Sequence, residues 1–184
     1  MSSVAQSASA EAFHAFEHAG WQGAARHYDD AFGSLTRQAV DPLLDAAEVR
    51  SGARTLDVAS GPGYAAAAAV ARGARVAALD FSSAMVELAR SQNPEMELRE
   101  GDAEALAFAD GSFDAVVMNF GMLHLAQPER AVAEAFRVLH AGGRYAFTVW
   151  AKPEEAVGFG IILDAVRKHG NPDEIGRASC RERV

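Results

Sequence analysis

The chain has 184 residues, of which 49% are hydrophobic and 23% are charged, a balance typical of a single globular domain with a sizeable core. Its formal net charge of -8 argues against a nucleic-acid partner, because phosphate binding depends on clustered Lys and Arg. No run of about 18 apolar residues could span a bilayer, and the first residues lack the pattern of a signal peptide. We therefore expect a cytoplasmic protein without stable membrane insertion.

The last residues, 174–184, read EIGRASCRERV and differ in character from the rest of the chain. Translated back into codons, this string resembles a short-read sequencing adapter read in frame. We therefore expect a non-native tail there and leave it out of the fold prediction. Because the only cysteine, Cys180, lies in this tail, the sequence predicts no disulfide and no metal site or nucleophile based on cysteine.

Residues 1–50 have a helical pattern in which aromatic and leucine side chains recur three to five residues apart, with interruptions at Gly20 and Pro42. We expect an N-terminal helical lid or cap there. Short apolar runs then predict five strands, which end near residues 57, 80, 100, 120 and 150. Helices are predicted over residues 64–72, 82–92 and 128–140, and the fifth strand over 143–150.

Strands that alternate with helices of about ten residues imply right-handed βαβ units and a parallel, doubly wound α/β sheet. Such sheets bind ligands at the carboxyl ends of their strands. Polar residues fall at or just after the predicted strand ends, namely Asp57, Asp80, Asp102 and Asn119. The functional site is therefore expected at this edge of the sheet.

A glycine-rich turn joins the first predicted strand to an alanine-rich helix. Gly61 to Ala66 fits the dinucleotide pattern G-x-G-x-x-A, and Asp80 follows 19 residues after Gly61. A helix N-terminus suits a carboxylate as well as a pyrophosphate, so this pattern alone leaves the ligand open. Asp57, four residues before Gly61, is awkward beside a pyrophosphate and favours a ligand that carries positive charge.

The chain resembles the class I S-adenosylmethionine-dependent methyltransferases in four ordered blocks, which are LDVASGPGY, ALDFSSAMVELAR, GDAEALAFADGSFDAV and NFGMLHLAQPERAVAEAFRVLHAGGRYAFTVW. The likeness runs from about Trp21 to Trp150. Within that class, the chain resembles the branch that includes the ubiquinone and menaquinone biosynthesis methyltransferases, which have a methyltransferase type 11 domain. The resemblance implies a Rossmann-like sheet of order 3-2-1-4-5 with N-terminal helices. It also implies that strands six and seven are missing, so that the chain is C-terminally truncated and strand five is an exposed edge.

The same resemblance implies S-adenosyl-L-methionine as the cofactor and suggests a role for each matching residue. Gly61, Gly63 and the backbone around Ala59 would hold the methionine part near Asp57, and Asp80 would bind the ribose hydroxyls. The other implied contacts are Phe81 against the adenine, Asp102 and Ala103 at its edge, Asn119 beneath the sulfonium, and Tyr28 with Trp21 in a lid. Many members have glycine where this chain has Ala59. We expect the alanine to be tolerated, because a strand-end residue with a negative φ does not require glycine.

Methyl transfer from a sulfonium is an in-line displacement that needs no metal, and the protein mainly aligns and desolvates the reactants. Where the acceptor loses a proton, His124 after the fourth strand is the candidate base; the alternative is a structural or lid histidine. His14, His18 and His27 are expected at solvated helix positions.

We therefore expect a methyltransferase that acts on a small-molecule acceptor. Its predicted regions are a lid at 1–50, the cofactor-binding core at 51–151, the start of a substrate-covering helical insertion at 152–173 and the tail at 174–184. Two alternatives stay open, namely an NAD(P)-binding Rossmann domain of an oxidoreductase and a non-catalytic relic of the methyltransferase fold. The identity of the acceptor, the choice among C-, N- and O-methylation and the oligomeric state are also open.

Overall fold

The computed structural model of this chain describes residues 3–152, 155–156, 161, 164–165 and 168–170. The chain divides into two compact units, Met1–Val149 and Trp150–Val184. In the second unit, the described residues Ile161, Asp164, Ala165, Lys168 and His169 have helical backbone. The predicted tail at 174–184 lies outside the described residues, and the finer division into lid, core and insertion stays a prediction.

The first unit is built on one sheet of five parallel strands in the order β3-β2-β1-β4-β5. The strands are β1 (Arg54–Val58), β2 (Arg75–Asp80), β3 (Glu97–Glu100), β4 (Phe113–Asn119) and β5 (Leu139–Thr148). The predicted Rossmann-like α/β fold and strand order are thereby confirmed. Within the described part of the chain, β5 lies at an edge of this sheet, as predicted.

Six α-helices accompany the sheet in the described part of the first unit. They are α1 (Ser3–Ala24), α2 (Ser34–Thr36), α3 (Val40–Ala46), α4 (Tyr64–Ala71), α5 (Ser83–Gln92) and α6 (Pro128–Val138). Shorter segments are the 3-10 helices Ala25–His27, Arg37–Ala39 and Met122–His124 and the π-helix Asp29–Gly33. None of the helices in the described part of the chain is both long enough and apolar enough to cross a membrane.

The predicted breaks at Gly20 and Pro42 are wrong, because both residues lie inside helices. Gly20 is exposed within α1, where glycine costs only about 1 kcal/mol relative to alanine. Pro42 occupies the first turn of α3, where a missing backbone N–H leaves no intrahelical hydrogen bond unmade.

The fifth strand begins earlier than the predicted residue 143. Helix α6 ends at Val138, and β5 starts directly at Leu139, which pairs with Phe113. The register then shifts before Ala115 pairs with Arg144, so the extra residues form an irregularity within the strand pair. Gly142, with φ +89°, supports this bulge, whereas the sequence pattern suggested a turn before the strand.

Side chains alternate along the strands and fill a core on each face of the sheet. On one face, Leu56, Val58 and Val116 pack with the buried side of α6. On the other, Ala115 and Val117 pack with α3 and α4, while Ala78 and Leu98 pack with α5. The buried alanines of α4 let this helix approach the sheet closely and place its N-terminus behind the end of β1.

Candidate active site

The turn after β1 is a backbone cradle at the carboxyl end of the sheet. Gly61 has φ +52° and Gly63 has φ +83°, conformations that favour glycine, and Gly63 is the N-cap of α4. A Cβ built on Gly61 would meet no atom within 4 Å, so space is open beside this backbone. The first turn of α4 and the turn before it can therefore receive a ligand group, and a carboxylate suits a helix N-terminus.

Asp57 is fully buried behind this turn. Its Oδ2 accepts a hydrogen bond of 2.9 Å from the backbone N–H of Ala66, and among the described residues its Oδ1 has no partner. Burial raises the pKa of Asp57 to about 7, the Ala66 N–H opposes this shift and the negative charge of Asp80 adds to it. A cationic group at the turn would satisfy Oδ1 and stabilise the carboxylate.

Asp80 ends β2 next to the same turn. Its Oδ2 accepts from the backbone N–H of Gly61 at 2.8 Å, and its Oδ1 accepts from the N–H of Ser82 at 2.9 Å. Burial raises the pKa of Asp80, while these two N–H groups, followed by the positive fields of His124 and His18, oppose the shift. Each oxygen keeps a further lone pair, so the carboxylate can accept from both hydroxyls of a ribose.

Phe81 and Asp102 lie close to helix α1. The ring of Phe81 makes edge contacts with the rings of His14 and His18, at centroid distances of 5.5 and 5.6 Å. Asp102 accepts from the backbone N–H of Glu104 at 2.8 Å through Oδ1, and its Oδ2 lies 3.8 Å from Nε2 of His14. Ala103 is buried. An apolar ring and a carboxylate thus stand beyond Asp80, as an adenine site would need.

Comparison with known proteins decides which fold family this arrangement belongs to. The methyltransferase domain family matches residues 56–147, half of the chain. This chain belongs to the methyltransferase domain family.

Individual relatives agree with this assignment. The demethylmenaquinone methyltransferase of Renibacterium salmoninarum is 39% identical over 111 residues, which are 60% of this chain and 47% of that protein. That of Beutenbergia cavernae is 38% identical over 63% of this chain and 50% of its own length. The chain spans about half the length of these curated relatives.

Solved structures share the fold. The [4+2]-cyclase SpnF is 27% identical, with a TM-score of 0.56 over 61% of this chain and 44% of that protein. A SAM-dependent methyltransferase from Aquifex aeolicus is 21% identical, with a TM-score of 0.62 over 78% of this chain and 86% of that one, and supports the fold alone.

In this methyltransferase domain, Ala59 has φ +54°, so the expectation of a negative φ is wrong. The chain reverses direction here, and the next residue, Ser60, donates from its N–H to the carbonyl of Leu79 at 3.0 Å. A left-handed backbone costs an alanine about 1 to 2 kcal/mol, so this position favours glycine. Gly121 leaves room for the methyl group, because a Cβ there would lie 2.7 Å from Cβ of Ala59.

Replacing Ala59 by glycine is expected to raise the free energy of unfolding. Relief of the left-handed strain, about 1 to 2 kcal/mol, exceeds the entropic cost of glycine, about 0.5 to 1 kcal/mol, so the net gain is about 0.5 to 1 kcal/mol. Urea denaturation would measure it. Ala133→Gly, the same change at an exposed position inside α6, serves as the control and should destabilise by about 1 kcal/mol. If Ala59→Gly lowered the free energy of unfolding as much as the control does, the left-handed strain at Ala59 would be contradicted.

Asn119 and Tyr28 bind the surrounding segments together. Asn119 Nδ2 donates to the carbonyl of Thr36 at 3.1 Å, and its Oδ1 accepts from the hydroxyl of Thr148 at 2.7 Å. The Tyr28 hydroxyl donates to Oγ1 of Thr36 at 3.4 Å, and burial raises the pKa of this tyrosine. The charge of Asp80 contributes to the raised pKa of Tyr28, so this ring lies near the end of β2. Asn119 and Tyr28 both also have structural partners.

Helix α1 carries residues that the sequence analysis missed. His14 and His18 contact Phe81 and are half-buried, so their expected placement in solvent is wrong. Gln22 Oε1 accepts from the hydroxyl of Ser82 at 3.0 Å and from the N–H of Ala84 at 2.9 Å, and so caps α5. The spacing of 14, 18 and 22 places these side chains on one helix face, a signal that could have been read from the sequence.

His124 follows β4 in the 3-10 helix Met122–His124. Its Nδ1 donates to Oε2 of Glu17 at 2.9 Å, and its ring contacts the indole of Trp21. The field of His124 opposes part of the rise that burial causes in the pKa of Asp80, so the imidazole lies near this carboxylate. The structure therefore brings the candidate base to the same edge as the three aspartates.

Proposed function

We propose that this chain is the cofactor-binding core of an S-adenosylmethionine-dependent methyltransferase that acts on a quinol. One observation carries the cofactor assignment, namely the buried Asp57 oxygen that lacks a partner behind the glycine turn. An ionised carboxylate in this position attracts a ligand with a positive charge, and S-adenosylmethionine carries both an amine and a sulfonium.

The residues present fit this cofactor along its length. The turn at Gly61 and Gly63 offers open space and a helix N-terminus for the methionine carboxylate. The unpartnered oxygen of Asp57 would accept a hydrogen bond from the amine. Asp80 would bind the ribose hydroxyls. The other proposed contacts follow the sequence assignment: Ala59 by its backbone, Phe81, Asp102 and Ala103 at the adenine, Asn119 near the sulfonium and Tyr28 in the covering segment.

Bound S-adenosylmethionine supplies an electrophilic methyl group on a sulfonium, which leaves as a neutral thioether. The protein's part is to hold the acceptor in line, to exclude water and to take a proton where the acceptor releases one. His124 is the proposed base because it lies close to Asp80 and is held by Glu17. A neutral imidazole is well suited to proton transfer near pH 7.

The proposed acceptor is a prenylated naphthoquinol. The name of the relatives in Renibacterium and Beutenbergia, demethylmenaquinone methyltransferase, supports this choice, and the half-buried aromatic rings of Trp21 and Tyr28 suit a flat apolar acceptor. The proposed location is the cytoplasm, where a water-soluble cofactor reaches the site from solvent.

The alternatives are less favoured. In an NAD(P)-binding domain the cradle would face a pyrophosphate, and the unpartnered oxygen of Asp57 would repel it. A non-catalytic relic would not need an imidazole that Glu17 holds near Asp80.

The test is transfer of isotopically labelled methyl from S-adenosylmethionine to a short-chain demethylmenaquinol, kept reduced with dithionite. Mass spectrometry should detect a quinone that carries the labelled methyl on a ring carbon. Binding of S-adenosylmethionine without any labelled quinone would contradict the proposed acceptor and activity. Phenol and amine acceptors in parallel would show whether transfer goes to oxygen or nitrogen instead.

A further inference from the structure

The N-terminal helix contributes a carboxylate to the proposed catalytic centre, 107 residues away in sequence from the histidine that it contacts. Glu17 Oε2 lies 2.9 Å from Nδ1 of His124, and only 12% of the Glu17 side chain is exposed. Such partial burial shields the pair from solvent and makes the interaction stronger than an exposed ion pair.

Trp21 completes this arrangement from the next turn of α1. Its indole Nε1 donates to the same Glu17 oxygen at 3.2 Å, and its ring meets the imidazole edge-on at a centroid distance of 4.8 Å. The carboxylate is therefore held by a second donor while the indole packs against the imidazole. A surface ion pair formed by chance would lack both features.

The hydrogen bond determines which imidazole nitrogen is available. A carboxylate accepts, so Nδ1 of His124 carries the hydrogen, and in the neutral ring Nε2 is then the basic atom. In the described part of the chain, no residue is bonded to Nε2. The other charged groups nearby are Asp80 at the end of β2 and His18 on α1, both of which interact electrostatically across this edge.

We propose that Glu17 is a positioning residue that holds His124 with Nδ1 protonated and Nε2 free to take a proton from the methyl acceptor. This inference rests on the proposed function of His124 as the base. In the reaction, Nε2 takes the hydroxyl proton of the acceptor. The oxygen keeps the electron pair and forms a carbonyl, the ring C=C pair forms the new bond to the methyl carbon, and the pair of the breaking carbon–sulfur bond stays on sulfur. The hydrogen on the methylated ring carbon then leaves as a proton to water, which restores the aromatic quinol. The imidazolium that results is stabilised by Glu17 and returns its proton to water.

A double-mutant cycle tests whether Glu17 acts through His124. His124→Ala should lower kcat for demethylmenaquinol about a hundredfold, and Glu17→Gln about tenfold, with the KM for S-adenosylmethionine little changed. In the His124→Ala background, Glu17→Gln should have no further effect. Glu17→Asp, which keeps the charge, should recover part of the rate. Equal losses in both backgrounds, or no loss in either, would overturn the proposal.

Glu87→Gln, the same change at an exposed position of α5, is the control for these rates and should leave kcat unchanged. A loss of kcat in Glu87→Gln as large as that in Glu17→Gln would count against the pair.

Nuclear magnetic resonance of the imidazole nitrogens separates this proposal from the proposed function. Long-range nitrogen–proton spectra should show His124 in the Nδ1-protonated tautomer in the wild type and in a mixture of tautomers in Glu17→Gln. A wild-type protein that transfers no methyl would contradict the proposed function, and these spectra would still test the pair. An unchanged His124 tautomer in Glu17→Gln would overturn the pair itself.

Discussion

Asp57→Asn is expected to raise the free energy of unfolding of the ligand-free protein by about 3 kcal/mol at pH 8 and to weaken binding of S-adenosylmethionine. Burial raises the pKa of this carboxyl from 3.8 to about 7, and three pKa units correspond to about 4 kcal/mol. The asparagine oxygen can still accept from the Ala66 N–H, while its buried amide hydrogens lack a partner and cost about 1 kcal/mol. The loss of the buried charge therefore dominates.

The sign of the pH dependence follows from proton binding. Because the pKa of Asp57 is higher in the folded protein, the folded state keeps a proton that the unfolded chain releases between about pH 4 and pH 7. Wild-type stability therefore loses this contribution as the pH rises through that window. Below about pH 4 only the amide cost remains, so Asp57→Asn should be about 1 kcal/mol less stable than the wild type. Its advantage should appear near pH 5, grow to about pH 7 and level off near pH 8.

Urea denaturation of the wild type and Asp57→Asn at several pH values measures this effect. Asp30→Asn, the same change at an exposed position, is the control. A pH-independent difference would contradict the raised pKa.

The effect of Asp57→Asn on ligand binding is checked with 5′-methylthioadenosine, which lacks the amine and carboxylate of the cofactor. Asp57→Asn should lower the affinity for S-adenosylmethionine by about tenfold to a hundredfold and leave the affinity for methylthioadenosine nearly unchanged. Equal losses of affinity for both ligands would show that Asp57 does not bind the amine.

Asp80→Asn is expected to lower the free energy of unfolding, opposite to Asp57→Asn, and to weaken binding of both ligands strongly. Two backbone N–H groups, of Gly61 and Ser82, bond to the two oxygens of Asp80, and asparagine offers only one oxygen. One buried N–H then faces an amide N–H, which costs about 1 to 3 kcal/mol, and we expect this cost to exceed the relief of the buried charge. The ribose also loses an acceptor, so affinity should fall by about a hundredfold or more for S-adenosylmethionine and for methylthioadenosine.

Calorimetry and denaturation on the same preparation check both parts of this prediction. Asp57→Asn and Asp80→Asn make the same chemical change in two buried strand-end carboxylates, so each is the control for the other. A stabilised Asp80→Asn, or one that binds methylthioadenosine as tightly as the wild type does, would contradict the role of Asp80.

The sheet could be predicted from the sequence because its signals are local. Apolar runs that end in Asp57 and Asp80, with a helix after each, specify parallel strands and bring the carboxylates to one edge. The grouping of these side chains at the carboxyl ends of the strands was therefore predictable. The start of β5 was not, because the Gly142–Gly143 pair suits a turn and a bulge equally well.

The contacts that helix α1 makes at this edge were less predictable because they are tertiary. His14, Glu17 and Gln22 are polar residues on α1, and hydrophobic periodicity says nothing about polar partners on a helix. The φ angle of Ala59 was predicted wrongly for another reason. Alanine normally has a negative φ, whereas the reversal of the chain at this position imposes a positive one. Family likeness indicated a glycine there without giving the physical cause.

The central claim is that the glycine turn and the strand-end aspartates form a site for S-adenosylmethionine. Isothermal titration of the whole chain with S-adenosylmethionine and, separately, with NADH tests it most directly, with Asp80→Asn in parallel. The account predicts one site of micromolar affinity for S-adenosylmethionine, no heat with NADH and a loss of binding in the variant. Binding of NADH in place of S-adenosylmethionine, or undiminished S-adenosylmethionine binding in Asp80→Asn, would contradict it.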